Sequence, residues 1–283
     1  MCIAFILFLP YCGLAASLSG YELISKYDGQ VIEMERIAII SDIHGNMPAL
    51  RAVLKDIAGR GITRIQCLGD MVGKGPEPAE ALDLVRESCE SVVIGNWESM
   101  VIDEENVEGD PAARWHRDRL GGARLNYIRS LPFGLEWEMS GRKVRLFHAS
   151  PESVYVRVQP WASEKERLGL FLNTEATAGS GASGKPDIVG YGDIHHAYLQ
   201  YLHRRMLFNA GSVGTPRDEP TACFCIMEGV WQGKNPAPLS IQFIRVPYNI
   251  EEAAAIARKK AEQEGMPGLD VFLRQLTTMR PGK

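Results

Sequence analysis

The chain has 283 residues, of which 45% are hydrophobic, enough for the core of one large domain or two small ones. Its 31 basic and 35 acidic residues nearly balance, giving a formal net charge of −4 at pH 7. This balance argues against a surface dedicated to nucleic acid, so an acidic partner would have to be bound locally. Six cysteines without a CxxC pair favour reduced, buried thiols over a disulfide framework.

The N-terminal extension, residues 1 to 33, begins with an apolar segment that carries no charge through residue 21. A secretory signal is one interpretation, although it lacks a preceding basic region. A membrane helix is another, although Pro10 and Gly13 interrupt the segment. We favour a translation start at Met34, because a strand-like sequence follows it directly. Residues 34 to 283 would then form one cytoplasmic domain without a membrane partner, whereas a genuine signal would export it.

The first half of this domain alternates between short apolar runs and amphipathic segments. The pattern predicts strands at 36–40, 62–70 and 91–96, separated by helices at 47–61 and 77–88. Such alternation indicates parallel strands joined by crossover helices. The spacing then predicts a helix over 113–132 with a glycine interruption, followed by a hairpin over 135–150.

In the second half, residues 173–186 are rich in small and polar side chains and predict a mobile surface loop. Further strands are predicted at 187–193, 206–214, 221–228 and 239–248. A helix near 251–264 and a polar C-terminal tail complete the prediction.

Polar side chains that can bind metal follow successive predicted strands. They are Asp42 and His44, Asp70, Asn96, His148, and Asp193 with His195. Loops beyond the carboxyl ends of strands in an open α/β sheet converge on one crevice, so these residues can meet in space. Carboxylates, imidazoles and an amide oxygen together suit Mn, Fe or Zn better than Mg or Ca.

The segments around these residues read SDIHGN, LGDMV, IGNWE, LFHAS and GDIHH, with FNAGSVGTPRD downstream. In order and spacing they resemble the calcineurin-like metallophosphoesterase family, whose pattern is DxH, GDxx, GNH[DE], a histidine after a strand, and GHxH. The likeness is strongest to compact bacterial phosphodiesterases and phosphatases. It implies an α/β fold, a four-layer αββα sandwich of two mixed sheets flanked by helices.

The resemblance also implies a centre with two divalent transition-metal ions. The first metal would be bound by Asp42, His44 and His195, with Asp70 bridging to a second metal bound by Asn96, His148 and Asp193. A shared water, deprotonated to hydroxide near neutral pH, would attack phosphorus. The implied activity is hydrolysis of phosphomonoesters or phosphodiesters, with nucleotides and dinucleoside polyphosphates among the candidate substrates.

Two positions depart from the family pattern. Trp97 replaces the histidine of GNH[DE] and cannot donate a proton near neutral pH, which favours esters with good leaving groups. Asp193 replaces the first histidine of GHxH. It could bind the second metal, or it could orient a water or His195 from outside the ligand set. These departures motivate an alternative, a catalytically degenerate member that binds metal or nucleotide without turnover.

Four further residues have open roles. Asn46 and Arg217 could contact substrate phosphate, but helix capping and surface solvation explain them equally well. His116 and His196 could replace the missing proton donor. The charged segment around His116 is most simply a solvated helix face.

Overall fold

A computed structural model describes residues 23–27, 30–179 and 184–277. The strands are, in chain order, β1 (Leu23–Tyr27), β2 (Gln30–Ile40), β3 (Arg64–Cys67), β4 (Ser91–Val92), β5 (Gly134–Met139), β6 (Arg142–Phe147), β7 (Ile188–Tyr191), β8 (Ala197–Leu202), β9 (Arg205–Ala210), β10 (Ala222–Gly229) and β11 (Ser240–Val246). The helices are α1 (Met47–Gly59), α2 (Pro78–Ser88), α3 (Asn96–Ile102), α4 (Glu104–Gly109), α5 (Pro111–Arg129), α6 (Glu164–Gly169), α7 (Glu175–Ala178), α8 (Ile250–Glu264) and α9 (Leu269–Thr277).

Within these described residues the strands form two mixed sheets. The first has the order β11-β10-β2-β3-β4, with β1 paired to β2, and the second has the order β5-β6-β7-β9-β8. Parallel pairs lie at the centre of each sheet: β2 with β3, where Ile40 is opposite Cys67, and β6 with β7, where Phe147 is opposite Tyr191. The carboxyl ends of these central strands are therefore available to build a site from both sheets.

The core is divided into layers by the two sheets. Ile37 and Ile39 of β2 pack against Val144 and Leu146 of β6 and Phe208 of β9, which fills the space between the sheets. These side chains alternate along β2 with residues that face the helices, as expected for a strand covered on both sides. The arrangement confirms the predicted αββα sandwich.

Helices cover the outer faces. Ala38 and Ile40 of β2 belong to a cluster with Leu50 and Val53 of α1 and Leu82 of α2. On the opposite face of the molecule, a cluster that includes buried Phe147, Tyr191 and Leu207 of the second sheet packs against Phe171 after α6. The amphipathic spacing of α1 and α2 explains why these segments form helices on the sheet rather than strands within it.

Most predicted elements are present, including the interruption of α5 at Gly121, which has φ 69° and ψ 165°. The prediction was incomplete in several places. The loop predicted at 173–186 contains α7, capped by Thr174, and the polar tail contains α9, whose Phe272 and Leu276 are buried. The elements β1, β8, α3, α4 and α6 were not predicted. The local cap of Thr174 supports α7, whereas α9 is held by packing against distant residues such as Trp115.

Strand β2 begins before Met34, since Met34 pairs with Leu23 of β1. Residues 1–22 and 28–29 of the proposed N-terminal extension lie outside the described residues, and the domain boundary at 34 stays a prediction. Across the described parts of the chain, no helix combines the length and hydropathy needed to cross a bilayer.

Candidate metal centre

The structure brings all the predicted ligands together where strands of both sheets end. Asp42 and His44 follow β2, Asp70 follows β3, Asn96 opens α3 after β4, His148 follows β6, and Asp193 and His195 follow β7. Five of these candidate ligands have positive φ, between 49° and 62°: Asp42, His44, Asp70, Asp193 and His195. Left-handed backbone is costly for residues with a Cβ, at about 1–3 kcal/mol each, and such strain clusters at functional sites.

Three histidines present the same ring nitrogen to the centre. The contacts of their other nitrogen are His44 Nδ1 to the Val72 oxygen at 3.1 Å, His148 Nδ1 to the Leu68 oxygen at 2.7 Å, and His195 Nδ1 to the Thr215 oxygen at 2.6 Å. An Nδ1–H that donates to a backbone carbonyl fixes the tautomer and leaves the Nε2 lone pair free. All three imidazoles therefore direct Nε2, the candidate ligand atom, towards the centre.

The ligand atoms form two overlapping groups. Asp42, His44 and His195 offer atoms within 4.8 Å of one another, and so do Asp42, Asp70 and His148. In the first group, His195 Nε2 lies 3.1 Å from Asp42 Oδ1 and 3.2 Å from His44 Nε2. The structure thus places two cation-sized sets of donors side by side.

Asp70 spans the same two groups. Its Oδ2 lies 3.6 Å from His44 Nε2 and its Oδ1 lies 3.5 Å from His148 Nε2. Asn96 Oδ1 is 2.9 Å from His148 Nε2, which adds an amide oxygen on that side. The geometry is compatible with the bridging role that the family resemblance implies for Asp70.

The hydrogen bonds of the Asp42 carboxylate indicate whether the centre suits a cation. Its Oδ2 accepts hydrogen bonds from Ser41 Oγ at 2.6 Å and from Asp193 N at 3.0 Å, but its buried Oδ1 has no hydrogen-bond partner among the described residues. Burying an unsatisfied carboxylate oxygen is costly unless a cation compensates it. The donor set and the orphaned oxygen therefore fit a metal ion.

The electrostatics of the centre support the same conclusion. Burial would raise the pKa of Asp42, but neighbouring His195 holds it well below the usual range. Burial raises the pKa of Asp70 to about 8, against the opposing charge of His148. Burial opposes the charged form of His148, yet the carboxylates of Asp70 and Asp42 raise its pKa to about 9. Bound cations would reverse the penalty on these carboxylates.

Glu98, which sequence reasoning missed, holds the loop that carries Asp70. Its buried carboxylate accepts hydrogen bonds from the backbone N–H groups of Asp70, Met71 and Val72, at 2.6 to 3.1 Å, and from Gly95 N at 3.0 Å. The signal was present in the IGNWE segment, which places an acidic residue at the third position of α3. Glu98 therefore positions a candidate ligand, Asp70.

Two glycines permit this close packing. A Cβ at Gly69 would lie 2.5 Å from Gly95 N, and a Cβ at Gly95 would lie 2.3 Å from Asp70 Oδ1. Gly69 also has φ 86°. The glycine before each ligand in LGD and IGN is therefore required by the approach of the two loops.

Asp193 lies at the centre but is engaged by Arg157. The guanidinium donates from Nε to Oδ2 at 2.7 Å and from Nη2 to Oδ1 at 2.6 Å, while Asp193 Oδ1 is 3.9 Å from His148 Nε2. A bidentate ion pair of this kind is a strong interaction when one partner is buried. Both roles anticipated for Asp193 remain predictions, and Arg157 was not anticipated.

Lys74 is a third residue that the sequence did not reveal. Its Nζ lies 2.8 Å from His44 Nε2 and 3.3 Å from His195 Nε2. Burial lowers the pKa of Lys74 to about 8, with Arg217 adding repulsion. Arg217 is thereby close enough to influence the centre, although its contact with substrate stays a prediction.

The remaining candidates have structural contacts. Asn46 caps α1 by accepting from Ala49 N and donates to the Gly214 oxygen at 2.8 Å, which favours the capping interpretation. His116 is not on a solvated helix face: it is buried between Trp97 and Trp115, and burial lowers its pKa to about 3. The prediction for His116 was wrong because the charged residues around it on α5 conceal an inward position.

Fold and site together define a class of protein, the α/β sandwiches that build a buried metal centre from the ends of two packed sheets. Residues 35–230 match the family described as the calcineurin-like phosphoesterase superfamily domain. The chain belongs to this superfamily, whose members use divalent metal ions and act generally as phosphoester hydrolases. The family resemblance in the sequence is thereby confirmed.

Relatives of this chain agree with the assignment. An uncharacterized protein of Methanocaldococcus jannaschii is 31% identical over 245 residues, covering 77% of this chain and 89% of the relative. A metallophosphoesterase from Sphaerobacter thermophilus has a similar crystal structure, with TM-score 0.64 and 28% identity over 86% of this chain and 98% of that one. A hypothetical protein from Pyrococcus horikoshii, with TM-score 0.65 and 18% identity over 85% and 97% of the two chains, shares the fold.

Proposed function

We propose that this protein hydrolyses phosphomonoesters or phosphodiesters with a dinuclear metal centre. The observation that carries the proposal is the convergence of the Nε2 atoms of His44, His148 and His195 on two buried carboxylates, where Asp42 Oδ1 accepts no hydrogen bond from the described residues. This mixture of nitrogen and oxygen donors suits Mn, Fe or Zn.

Each residue of the centre has a defined task. Asp42, His44 and His195 would hold one ion, Asn96 and His148 the other, and Asp70 both. Divalent cations bound there supply Lewis acidity, which makes a water more acidic and neutralises charge on a phosphate. Glu98 fixes the loop of Asp70, and the backbone N–H of Trp97 donates to Asp70 Oδ1 at 2.9 Å. These contacts keep the carboxylate oriented before substrate arrives.

The residue at position 97 bears on which leaving groups we expect the protein to accept. The Trp97 side chain packs against Gly73, where a Cβ would lie 2.1 Å from the indole, and it has an edge contact with His116. His116 lies behind the indole with its pKa lowered to about 3, so it does not replace the missing proton donor. We therefore propose a preference for esters whose alkoxide or phenolate leaves without protonation.

The decisive experiment assays metal-free protein reconstituted separately with Mn, Fe, Zn, Co and Ni against p-nitrophenyl phosphate and its bis ester. We expect hydrolysis of at least one ester with at least one metal, and a loss of about 100-fold or more in kcat in Asp42→Asn. Full metal loading without turnover of either ester would contradict the proposal and favour a metal-binding member without catalytic activity.

A second assay tests the leaving-group preference. Across aryl phosphates, kcat/KM of the wild type should fall steeply as the pKa of the phenol rises, because neither Trp97 nor His116 protonates the leaving oxygen. Trp97→His should make the dependence shallower. Equal slopes for the two proteins, at equal metal content, would exclude a proton-transfer role for position 97.

A further inference from the structure

A cavity of about 700 Å³ lies beside the metal centre, between the loop that follows His148 and the segment around α6. Its apolar wall includes Pro151, Val156, Val158, Leu168, Leu170 and Leu172. Val158 and Leu170 are buried in the core of the second sheet, whereas Val156 and Leu172 keep 42% and 44% of their surface exposed. Exposed aliphatic side chains facing a cavity of this size are typical of a small-molecule site.

The charged groups of the wall are largely engaged elsewhere. Glu164 contacts His203 at 2.8 Å, and Glu166 accepts from the Ser163 N–H and hydroxyl at 2.9 and 2.6 Å. The Arg157 guanidinium is paired with Asp193. The wall also carries Glu152 and Lys165, but its apolar side chains outnumber its charged ones, so a ligand would meet mainly hydrocarbon within the cavity.

Arg157 connects the cavity to the metal centre. It lines the cavity and simultaneously contacts Asp193, whose Oδ1 is 3.9 Å from His148 Nε2. The wall also includes Ser150 and Pro151, which follow His148 closely in the chain. The ion pair of Arg157 and Asp193 thus links the wall of the cavity to the candidate ligand cluster.

We propose that this cavity binds the apolar organic group of the substrate, with the phosphate directed past Arg157 to the metal centre. The inference rests on the proposed phosphoesterase function and names its substrate class: esters of an aryl or alkyl alcohol. The hydrocarbon wall selects against a bare phosphate or a methyl ester, since burial of apolar surface supplies the added affinity. Arg157 is the specificity-determining cation at the junction.

The test uses non-hydrolysable phosphonates, so that binding is measured apart from catalysis. Isothermal titration of the manganese-loaded full chain should show phenylphosphonate binding about tenfold or more tightly than methylphosphonate. Val156→Trp, which places an indole in the cavity, should reduce this difference and leave the methylphosphonate affinity unchanged. Val271→Trp is the matched control, because Val271 on α9 is similarly exposed, at 45%, and does not line the cavity.

A second variant covers the case in which the tryptophan introduced at position 156 points to solvent. Leu172→Asp places a carboxylate in the apolar wall and should likewise reduce the phenyl preference, whereas Leu199→Asp on β8 should retain it. Equal affinity of the wild type for both phosphonates, or a phenyl preference that is undiminished in both cavity variants, would overturn the proposal. If neither phosphonate binds to metal-loaded protein, the proposed phosphate site at the metal centre is contradicted as well. If both bind with equal affinity, only the role of the cavity is contradicted.

Discussion

Lys74 is the residue whose position bears most directly on metal binding. Its Nζ lies within 3.3 Å of the Nε2 atoms of His44 and His195, which are two of the donors proposed for the first metal. With a pKa near 8, the side chain is mainly an ammonium at neutral pH. A divalent cation and an ammonium repel strongly at such separations, so metal binding requires Lys74 to move or to lose its proton.

Lys74→Met should therefore tighten binding of the first metal. We expect the Kd for Mn, measured by titration calorimetry on metal-free protein, to fall about tenfold, which corresponds to about 1.4 kcal/mol. Lys55→Met, at an exposed position on α1, should have the wild-type Kd. An unchanged Kd in Lys74→Met would show that the ammonium does not compete with the metal.

Because the His116 side chain is buried, we expect the free energy of unfolding to depend on pH. Its pKa is lowered from 6.5 to about 3 by burial, so below about pH 6.5 the unfolded chain binds a proton that the folded chain does not. Stability then falls as the pH decreases, by about 2 kcal/mol between about pH 7.5 and pH 5 for this group alone. Urea unfolding of His116→Gln across this range should show a correspondingly smaller loss; an identical pH slope in both proteins would contradict the assignment.

At the scale of elements, α5 shows how one residue redirects a helix. Its first part carries Trp115 and His116, and its second part packs Leu125 and Ile128 into the core on the first sheet. The left-handed backbone at Gly121 breaks the helical periodicity between the two parts. This break allows α5 to pack against both α3 and the sheet.

Neighbouring glycines in α5 provide a matched test of this break. Gly121→Ala should destabilise the fold by about 1–2 kcal/mol, because alanine disfavours its positive φ. Gly122→Ala should stabilise by about 0.5–1 kcal/mol, because the φ of Gly122 lies outside the left-handed region and a Cβ there meets open space. Urea unfolding measures both changes, and effects of the same sign would contradict the kinked geometry.

At the scale of the whole molecule, the candidate ligands join the two sheets. Asp42 and Asp70 follow strands of the first sheet, whereas His148 and His195 follow strands of the second. A metal that bridges them would stabilise the folded state, because the unfolded chain lacks the assembled site.

Metal removal should therefore lower the free energy of unfolding. At a free metal concentration of about 100 times Kd, the expected stabilisation is about 2.7 kcal/mol. Thermal and urea unfolding with Mn and with chelator would measure it. Asp42→Asn should lose most of the difference, whereas Asp56→Asn, in an ion pair with Arg60 on the surface of α1, should keep it. Stability that is independent of metal in the wild type would contradict a folded-state metal site.

The sequence by itself determined the positions that can bind metal. Asp42, Asp70 and His148 were predicted because each directly follows an apolar run, and the end of a strand is a local property of the chain. The seven residues from Asp42 to His195 then came together because parallel strands place their carboxyl ends at one edge. The alternation of strands and helices and the break at Gly121 could be predicted because they too are local properties of the chain.

Only the tertiary structure decided which other side chains enter the centre. Lys74 and Arg157 lie in segments without a distinctive pattern, and their contacts depend on how those segments fold over the strand ends. His116 was misjudged because a charged stretch of helix still has one face toward the core. The division into two mixed sheets, which local periodicity did not specify, likewise depends on contacts between residues far apart in the chain.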